Sequence, residues 1–182
     1  MQILLFLLDT VAFVLVGAAL LRAWMNTQRL RMTQQPGLFA MALTDWLVQP
    51  LRRSLPRAMA QARLDWSSLL AAFLLGLLYS ALWHALLGGQ LPGVQSLGWL
   101  ITLPFVALTF MLRTALQGLM ILALAYAVLS WVQPHSPVLG TLARLVEPLL
   151  APLRRWLPRL GGVDLSVLVL VILLQIGLML LR

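Results

Sequence analysis

The sequence contains neither cysteine nor lysine, and it has few charged residues of any kind. Without cysteine the chain has no disulfide, no thiolate metal ligand and no thiol chemistry. The two histidines, His84 and His135, are too few for a protein-only zinc site of the usual kind. Only 10% of the 182 residues are charged, against about 25% in a soluble domain. So few charges cannot solvate a globule of this size, which indicates that lipid is the solvent.

Acidic residues are the scarcer of the two charged classes. Five acids stand against 13 arginines, which gives a net charge of +8. Asp65, Glu147 and Asp164 are explained by helix capping or by a surface position, so no paired-carboxylate site remains for general acid–base chemistry. No phosphate-binding glycine loop, nucleophile elbow or helical pair of metal ligands is present in the sequence. The sequence therefore predicts no enzyme, no metal and no cofactor.

Long apolar runs make up much of the sequence, and they predict an all-α membrane protein. Runs at 3–24, 66–87 and 165–181 are each close to the ~20 residues that cross about 30 Å of hydrocarbon. The first run lacks a basic segment before it and is too long for a cleavable signal, so we expect it to be a retained span.

The stretch at 97–132 is longer than one span requires, and it contains Pro104 and Arg113. We predict a short re-entrant or interfacial segment at 97–111, followed by the third of four spans at 112–131. The alternative is one long tilted helix that is kinked at Pro104.

The arginines cluster between spans one and two and between spans three and four, whereas the connection at 88–96 has no charge. The positive-inside rule places both arginine-rich loops in the cytoplasm. We therefore expect a multi-pass protein of a bacterial inner membrane with periplasmic N- and C-termini.

An internal repeat divides the chain into units at 1–90 and 91–182. Pro50-Leu-Arg-Arg-Ser-Leu-Pro-Arg57 recurs as Pro152-Leu-Arg-Arg-Trp-Leu-Pro-Arg159, with seven of eight positions identical. Each unit contributes two spans, so the two units have the same orientation in the membrane. They are parallel repeats rather than the inverted kind found in many transporters.

Apolar residues at helical spacing within both loops predict amphipathic interfacial helices at 38–56 and 137–157. Ser136 before Pro137 is a predicted N-cap of the second. The second and fourth spans begin after further capping candidates, where a carboxylate also meets the positive end of the helix dipole. These candidates are Asp65, Ser67, Asp164 and Ser166.

The repeated arginine boxes are candidate binding sites for acidic lipid or for an acidic segment of a partner, because guanidinium groups bind phosphate in a bidentate manner. The alternative is that these arginines only hold the loops inside the cell. The predicted binding residues are Arg52, Arg53, Arg57, Arg154, Arg155 and Arg159.

Polar residues inside the spans predict a seam between the repeats. We expect an ion pair between Asp9 and Arg113, because unpaired charges in hydrocarbon are costly. Gln117 and Gln175 would extend the seam. It serves either as an ion or proton path or, as we favour, as adhesion between helices. Gly76 and Ser80 form a small-residue motif that predicts close helix approach.

The chain resembles the YggT family, also called YlmG-like, in its two-repeat form. The residues that carry the resemblance are Leu21-Arg-Ala-Trp24, Ser130-Trp-Val-Gln-Pro-His-Ser-Pro137, Glu147-Pro-Leu-Leu-Ala-Pro-Leu-Arg-Arg155, Leu157-Pro158 and Gly161-Gly-Val-Asp-Leu-Ser166. The first repeat departs from the pattern at 58–64, where no glycine turn is present. The resemblance implies an inner-membrane protein without an established enzymatic activity. It also implies links to osmotic stress and ion uptake, to cell division, and in plastids to haem attachment and nucleoid distribution.

We therefore expect a non-enzymatic accessory, scaffold or assembly protein that acts on anionic lipid or partner proteins through its arginine-rich helices, in envelope or osmotic stress. We also expect a homo-oligomer or a membrane-protein partner, and no nucleic acid. The alternative is a small oligomeric channel or transport component for ion uptake.

Overall fold

The computed structural model describes residues 1–30, 32–56, 64–87, 98–155 and 164–181, and this part of the chain contains helices but no strand. Six helices follow one another in these ranges. They are α1 (Gln2–Thr27), α2 (Gly37–Ser54), α3 (Trp66–Leu87), α4 (Gly98–Val132), α5 (Pro137–Arg154) and α6 (Leu165–Leu180).

Three of these helices, α1, α3 and α4, are long and apolar enough to cross a membrane, while α6 is apolar but shorter. Large apolar side chains on their outer surfaces are exposed. Ile101 and Leu180, for example, are each 83% exposed. Such a surface is unfavourable in water and is expected of helices in contact with lipid.

The predicted separate segment at 97–111 is not found. Gly98–Val132 is one continuous helix of 35 residues with Pro104 inside it, as in the alternative interpretation, and it is about 52 Å long. Proline removes a single backbone hydrogen bond. The apolar helical sequence on both sides of Pro104 continues across that defect, so proline alone does not end the helix.

The helices pack around two apolar cores. In one, Val16 and Ala19 of α1 pack with Ala72 and Leu75 of α3. In the other, residues of α4, α5 and α6 pack together. Its buried members are Ala123, Val146, Leu150, Val167, Leu170 and Leu174. Each amphipathic helix, α2 or α5, packs against the two helices that flank it in the sequence.

Close helix contact joins the two cores at Gly76. A Cβ atom at this position would lie 3.2 Å from the backbone oxygen of Ala107 on α4. Glycine is therefore needed for α3 and α4 to approach at this distance. Ser80, the other residue of the predicted motif, is buried and donates its hydroxyl to the carbonyl of Gly76.

Candidate functional site

Most of the arginines lie at one end of the bundle, where α1 and α4 end, α3 and α6 begin, and α2 and α5 are located. We call this the arginine end. An indole hydrogen bond joins the two halves of the protein here, because Nε1 of Trp24 on α1 donates to the carbonyl of Leu145 on α5 at 3.0 Å.

In the first half, Arg52 in the last turn of α2 holds the start of α3. Its Nη2 donates to Oδ2 of Asp65 at 3.0 Å. The carboxylate of Asp65 is 5% exposed and also accepts hydrogen bonds from the hydroxyls of Ser67 and Ser68 and from the Ser68 N–H. Asp65 is therefore an N-terminal cap of α3 that carries an ion pair.

The surroundings of Asp65 keep it ionised. Burial on its own would raise the pKa of this carboxyl group. The hydrogen bonds from Ser67 and Ser68 and the charge of Arg52 outweigh burial and hold the pKa below its usual value.

In the second half, Arg154 at the end of α5 makes the corresponding contact with the start of α6. Its Nε and Nη2 both donate to Oδ2 of Asp164, at 2.9 and 2.7 Å, and its Nη1 donates to Oε2 of Glu147 at 2.7 Å. Asp164 also accepts from the backbone N–H of Ser166 at 3.1 Å, which caps α6. One guanidinium thus connects α5, α6 and two carboxylates.

Charge again decides the protonation of this pair. Burial would raise the pKa of Asp164, but the hydrogen bonds from Arg154 and Ser166 and the charge of Arg154 hold it below its usual value. Burial would lower the pKa of Arg154, and its bonds to Asp164 and Tyr126 keep that pKa above its usual value instead.

Arg52 and Arg154 occupy the same position of the two Pro-Leu-Arg-Arg boxes. In each half, the first arginine of the box binds the aspartate that precedes the next long helix. Both arginines of each box are predicted to bind lipid or a partner, and the structure gives Arg52 and Arg154 an internal carboxylate partner. The sequence does indicate these two ion pairs, because Asp65-Trp-Ser67 and Asp164-Leu-Ser166 recur along with the boxes.

A fourth ion pair fixes α2 against α1. Nη1 of Arg22 donates to Oδ1 of Asp45 at 2.6 Å and to the hydroxyl of Thr44 at 3.1 Å. Arg22 is 5% exposed. An arginine at the end of the apolar run at 3–24 does not by itself indicate this contact. We call Arg22, Arg52 and Arg154 the paired arginines.

Four other arginines of the described arginine end are exposed and make no ion pair with any described residue. They are Arg29, Arg53, Arg144 and Arg155, and we call them the outer arginines. All four acids at this end, Asp45, Asp65, Glu147 and Asp164, already pair with the paired arginines. The exposed positive charge is therefore not compensated by the described part of this end.

The two remaining predicted binding residues, Arg57 and Arg159, lie outside the described residues. Ser136 occupies the N-cap position of α5, but its side chain makes no capping hydrogen bond. Ser67 donates its hydroxyl to Asp65, and the backbone N–H of Ser166 donates to Asp164, so in both halves the aspartate is the capping residue.

The predicted polar seam does not assemble. Asp9 accepts a hydrogen bond from the hydroxyl of Tyr79 at 2.8 Å, and Arg113 donates to the carbonyl of Leu181 at 3.1 Å. The predicted ion pair between Asp9 and Arg113 is thus absent, because each charge has a different partner. Gln175 is exposed on α6, and neither it nor Gln117 makes a side-chain hydrogen bond with a described residue.

No group of three or more potential metal-binding His, Asp or Glu residues occurs in the described ranges. What the arginine end offers chemically is exposed guanidinium groups on, or next to, helices that ion pairs hold in place. Guanidinium groups bind phosphate and carboxylate oxygens.

Comparison with known proteins identifies relatives along nearly the whole chain. The model of the CCB3/YggT family matches residues 1–86 and 105–182. The uncharacterised protein YggT of Escherichia coli K12 is 34% identical over 179 residues, which cover 97% of this chain and 87% of that protein. An uncharacterised Vibrio alginolyticus protein is 31% identical over 171 residues, 93% of this chain and 88% of that one. No solved structure matches the chain.

Proposed function

Because this chain belongs to the CCB3/YggT family, we propose that it is a non-enzymatic accessory, scaffold or assembly protein of the bacterial inner membrane. It would present the outer arginines to anionic lipid headgroups or to an acidic segment of a partner protein. The observation that carries this proposal is the division of the arginines. Every described acid of the arginine end is already paired, and four exposed arginines have no described ionic partner.

The proposed membrane arrangement has four spans, formed by α1, α3, α4 and α6. The apolar surfaces of these helices support it, and α6, with 16 residues, is about 24 Å long. Arginines follow α1 and precede α3, and they also lie between α4 and α6. The positive-inside rule therefore puts the arginine end in the cytoplasm and both termini in the periplasm.

Two parallel repeats are part of the same proposal. The two apolar cores, the two box arginines that bind a helix-capping aspartate, and the two segments matched by the family model all support it. In such an arrangement α2 and α5 lie at the same membrane surface. Arg53 and Arg155 then lie at equivalent positions and face the same leaflet.

The energetics favour an anionic partner for the outer arginines. A basic residue near an anionic membrane surface contributes about 1 kcal/mol. The paired arginines do not contribute in this way, because their charges are offset by carboxylates at 2.6–3.0 Å.

The test compares two double variants in native-lipid particles that are extracted without detergent. Arg53→Gln/Arg155→Gln removes two outer arginines, and Arg52→Gln/Arg154→Gln removes two paired arginines from the adjacent positions. The total charge is therefore the same in both variants. Co-purifying proteins and lipids are measured by mass spectrometry.

We expect the Arg53→Gln/Arg155→Gln variant to lose a defined partner protein or part of the enrichment of anionic lipid found with the wild type. We expect the folded fraction of Arg52→Gln/Arg154→Gln to keep it. Equal lipids and partners in the wild type and in Arg53→Gln/Arg155→Gln would show that the boxes only set topology.

A further inference from the structure

A narrow apolar groove of about 380 Å³ lies between α1 and α4. Small residues on both helices leave the space for it, and aromatic rings lie near its two ends. The residues that define it best are Phe13, Gly17, Ala18, Trp24, Ala115 and Gly118.

The groove begins at the arginine end and extends to the level of Phe13. The distance along α1 from Thr27 at the mouth to Phe13 is about 21 Å, close to the ~20 Å that one leaflet measures with its headgroup region. The dimensions therefore fit a single hydrocarbon chain.

Two outer arginines neighbour residues that line the mouth of the groove. Trp24 lines it and donates to the carbonyl of Leu145, and the residue before Leu145 is the outer arginine Arg144. Thr27 also lines the mouth, and the outer arginine Arg29 follows it two residues later. An apolar groove with uncompensated cations at its mouth complements an amphipathic ligand with an anionic head.

We propose that this groove binds one acyl chain of an anionic phospholipid from the leaflet at the arginine end, with the lipid phosphate at Arg144 and Arg29. This inference rests on the proposed function, because it requires the outer arginines to bind anionic headgroups. It adds a defined lipid site that is separate from Arg53 and Arg155.

Gly118 provides the variant that fills the groove. Gly118 lines the groove, and a Cβ atom at this position would meet no other atom within 4 Å, so the side chain of Gly118→Leu starts in open space. Gly140, on the exposed surface of α5, also has no neighbour within 4 Å. Gly140→Leu is therefore the matched control, with the same change in residue, also within a helix.

The experiment is native mass spectrometry of full-length protein incubated with an equal mixture of phosphatidylglycerol and phosphatidylethanolamine. We expect the wild type and Gly140→Leu to retain one phosphatidylglycerol molecule, and Gly118→Leu to lose it. Arg144→Gln should still retain one lipid, but with a preference for phosphatidylglycerol that is about fivefold lower. Arg53→Gln/Arg155→Gln should retain the lipid bound in the groove. The groove proposal therefore does not depend on the result of this variant in the partner assay.

A second measurement does not require the protein to fold with a leucine at position 118. The chain has no cysteine, so Gly118→Cys carries a single thiol, and phosphatidylglycerol should slow its alkylation by an apolar reagent. Equal retention of lipid by Gly118→Leu and the wild type, or no protection of the thiol, would overturn the proposal. Loss of a dimer rather than of a lipid in Gly118→Leu would also overturn the proposal, because the groove would then bind a second copy of the chain.

Discussion

Arg154 donates from both Nε and Nη2 to a single oxygen, Oδ2 of Asp164, at 2.9 and 2.7 Å. The same carboxylate accepts the Ser166 N–H and so caps α6. One aspartate thus joins the end of the amphipathic helix to the start of the next apolar helix, and Asp65 with Arg52 makes the same connection in the first half. The ion pairs connect α2 and α5 to the helices that follow them.

Substitutions at Asp164 separate its charge from its capping role. Asp164→Asn keeps a side-chain oxygen for the Ser166 N–H but loses the charge opposite Arg154. We expect it to lower the free energy of unfolding by about 1 kcal/mol. Asp164→Ala loses both roles, and we expect a reduction of about 2 kcal/mol. Equilibrium unfolding in mixed micelles measures both values, and equal stability of Asp164→Ala and the wild type would contradict the assigned contacts.

The low pKa values of Asp65 and Asp164 predict a loss of stability in acid. Each carboxylate stabilises the folded state fully above its unfolded pKa, near ~3.9. That contribution disappears as the pH falls through the lower folded pKa. We expect the unfolding temperature to be constant from about pH 7 to 5 and to fall below about pH 4. The Asp65→Asn/Asp164→Asn variant should start lower and fall less, and an unchanged slope in this variant would refute the assignment.

Gly76 and Gly140 should respond oppositely to the same substitution. Alanine stabilises an exposed helix by up to about 1 kcal/mol relative to glycine, so Gly140→Ala should raise the unfolding temperature. At Gly76 the added Cβ would lie 3.2 Å from a backbone oxygen of α4, which cannot move as a side chain can. We expect Gly76→Ala to lower the unfolding temperature, and a rise at both positions would show that α3 and α4 are not in close contact.

The absence of cysteine allows the orientation to be measured with single thiols. Ser54 is exposed in the last turn of α2, and Gln2 is exposed at the first residue of α1, toward the opposite end of the bundle. In intact spheroplasts, an impermeant maleimide should label Gln2→Cys and should label Ser54→Cys only after the membrane is permeabilised. Labelling of Ser54→Cys without permeabilisation would place the arginine end outside the cell.

The sequence was sufficient to predict the helices because their signals are local. Unbroken apolar runs predicted α1, α3 and α6, and helical spacing of apolar residues predicted α2 and α5 to within a few residues. The full length of α4 was not predicted, because Pro104 indicates one missing backbone hydrogen bond but does not show whether the helix continues beyond it.

Partners of polar side chains were harder to predict, because they depend on how each helix is rotated about its axis. Asp9 and Arg113 were matched by charge and estimated depth, yet Asp9 binds Tyr79 on a different helix. Gln175 was expected to face inward but is exposed. Arg22 lies at the end of an apolar run, where a charge is usually solvated, and its burial against Thr44 and Asp45 arises only from the packing of α2 on α1.

The division between paired and outer arginines is tested most directly by the unfolding free energies of the two double variants. The change in charge is the same, and the substituted positions are adjacent in both boxes. We expect Arg52→Gln/Arg154→Gln to be less stable than the wild type by about 2 kcal/mol or more, because the carboxylates of Asp65 and Asp164 lose charged hydrogen-bond donors. Arg53→Gln/Arg155→Gln should lie within about 0.5 kcal/mol of the wild type, as is usual for exposed positions. Equal losses in the two variants, or a larger loss at Arg53 and Arg155, would contradict the division.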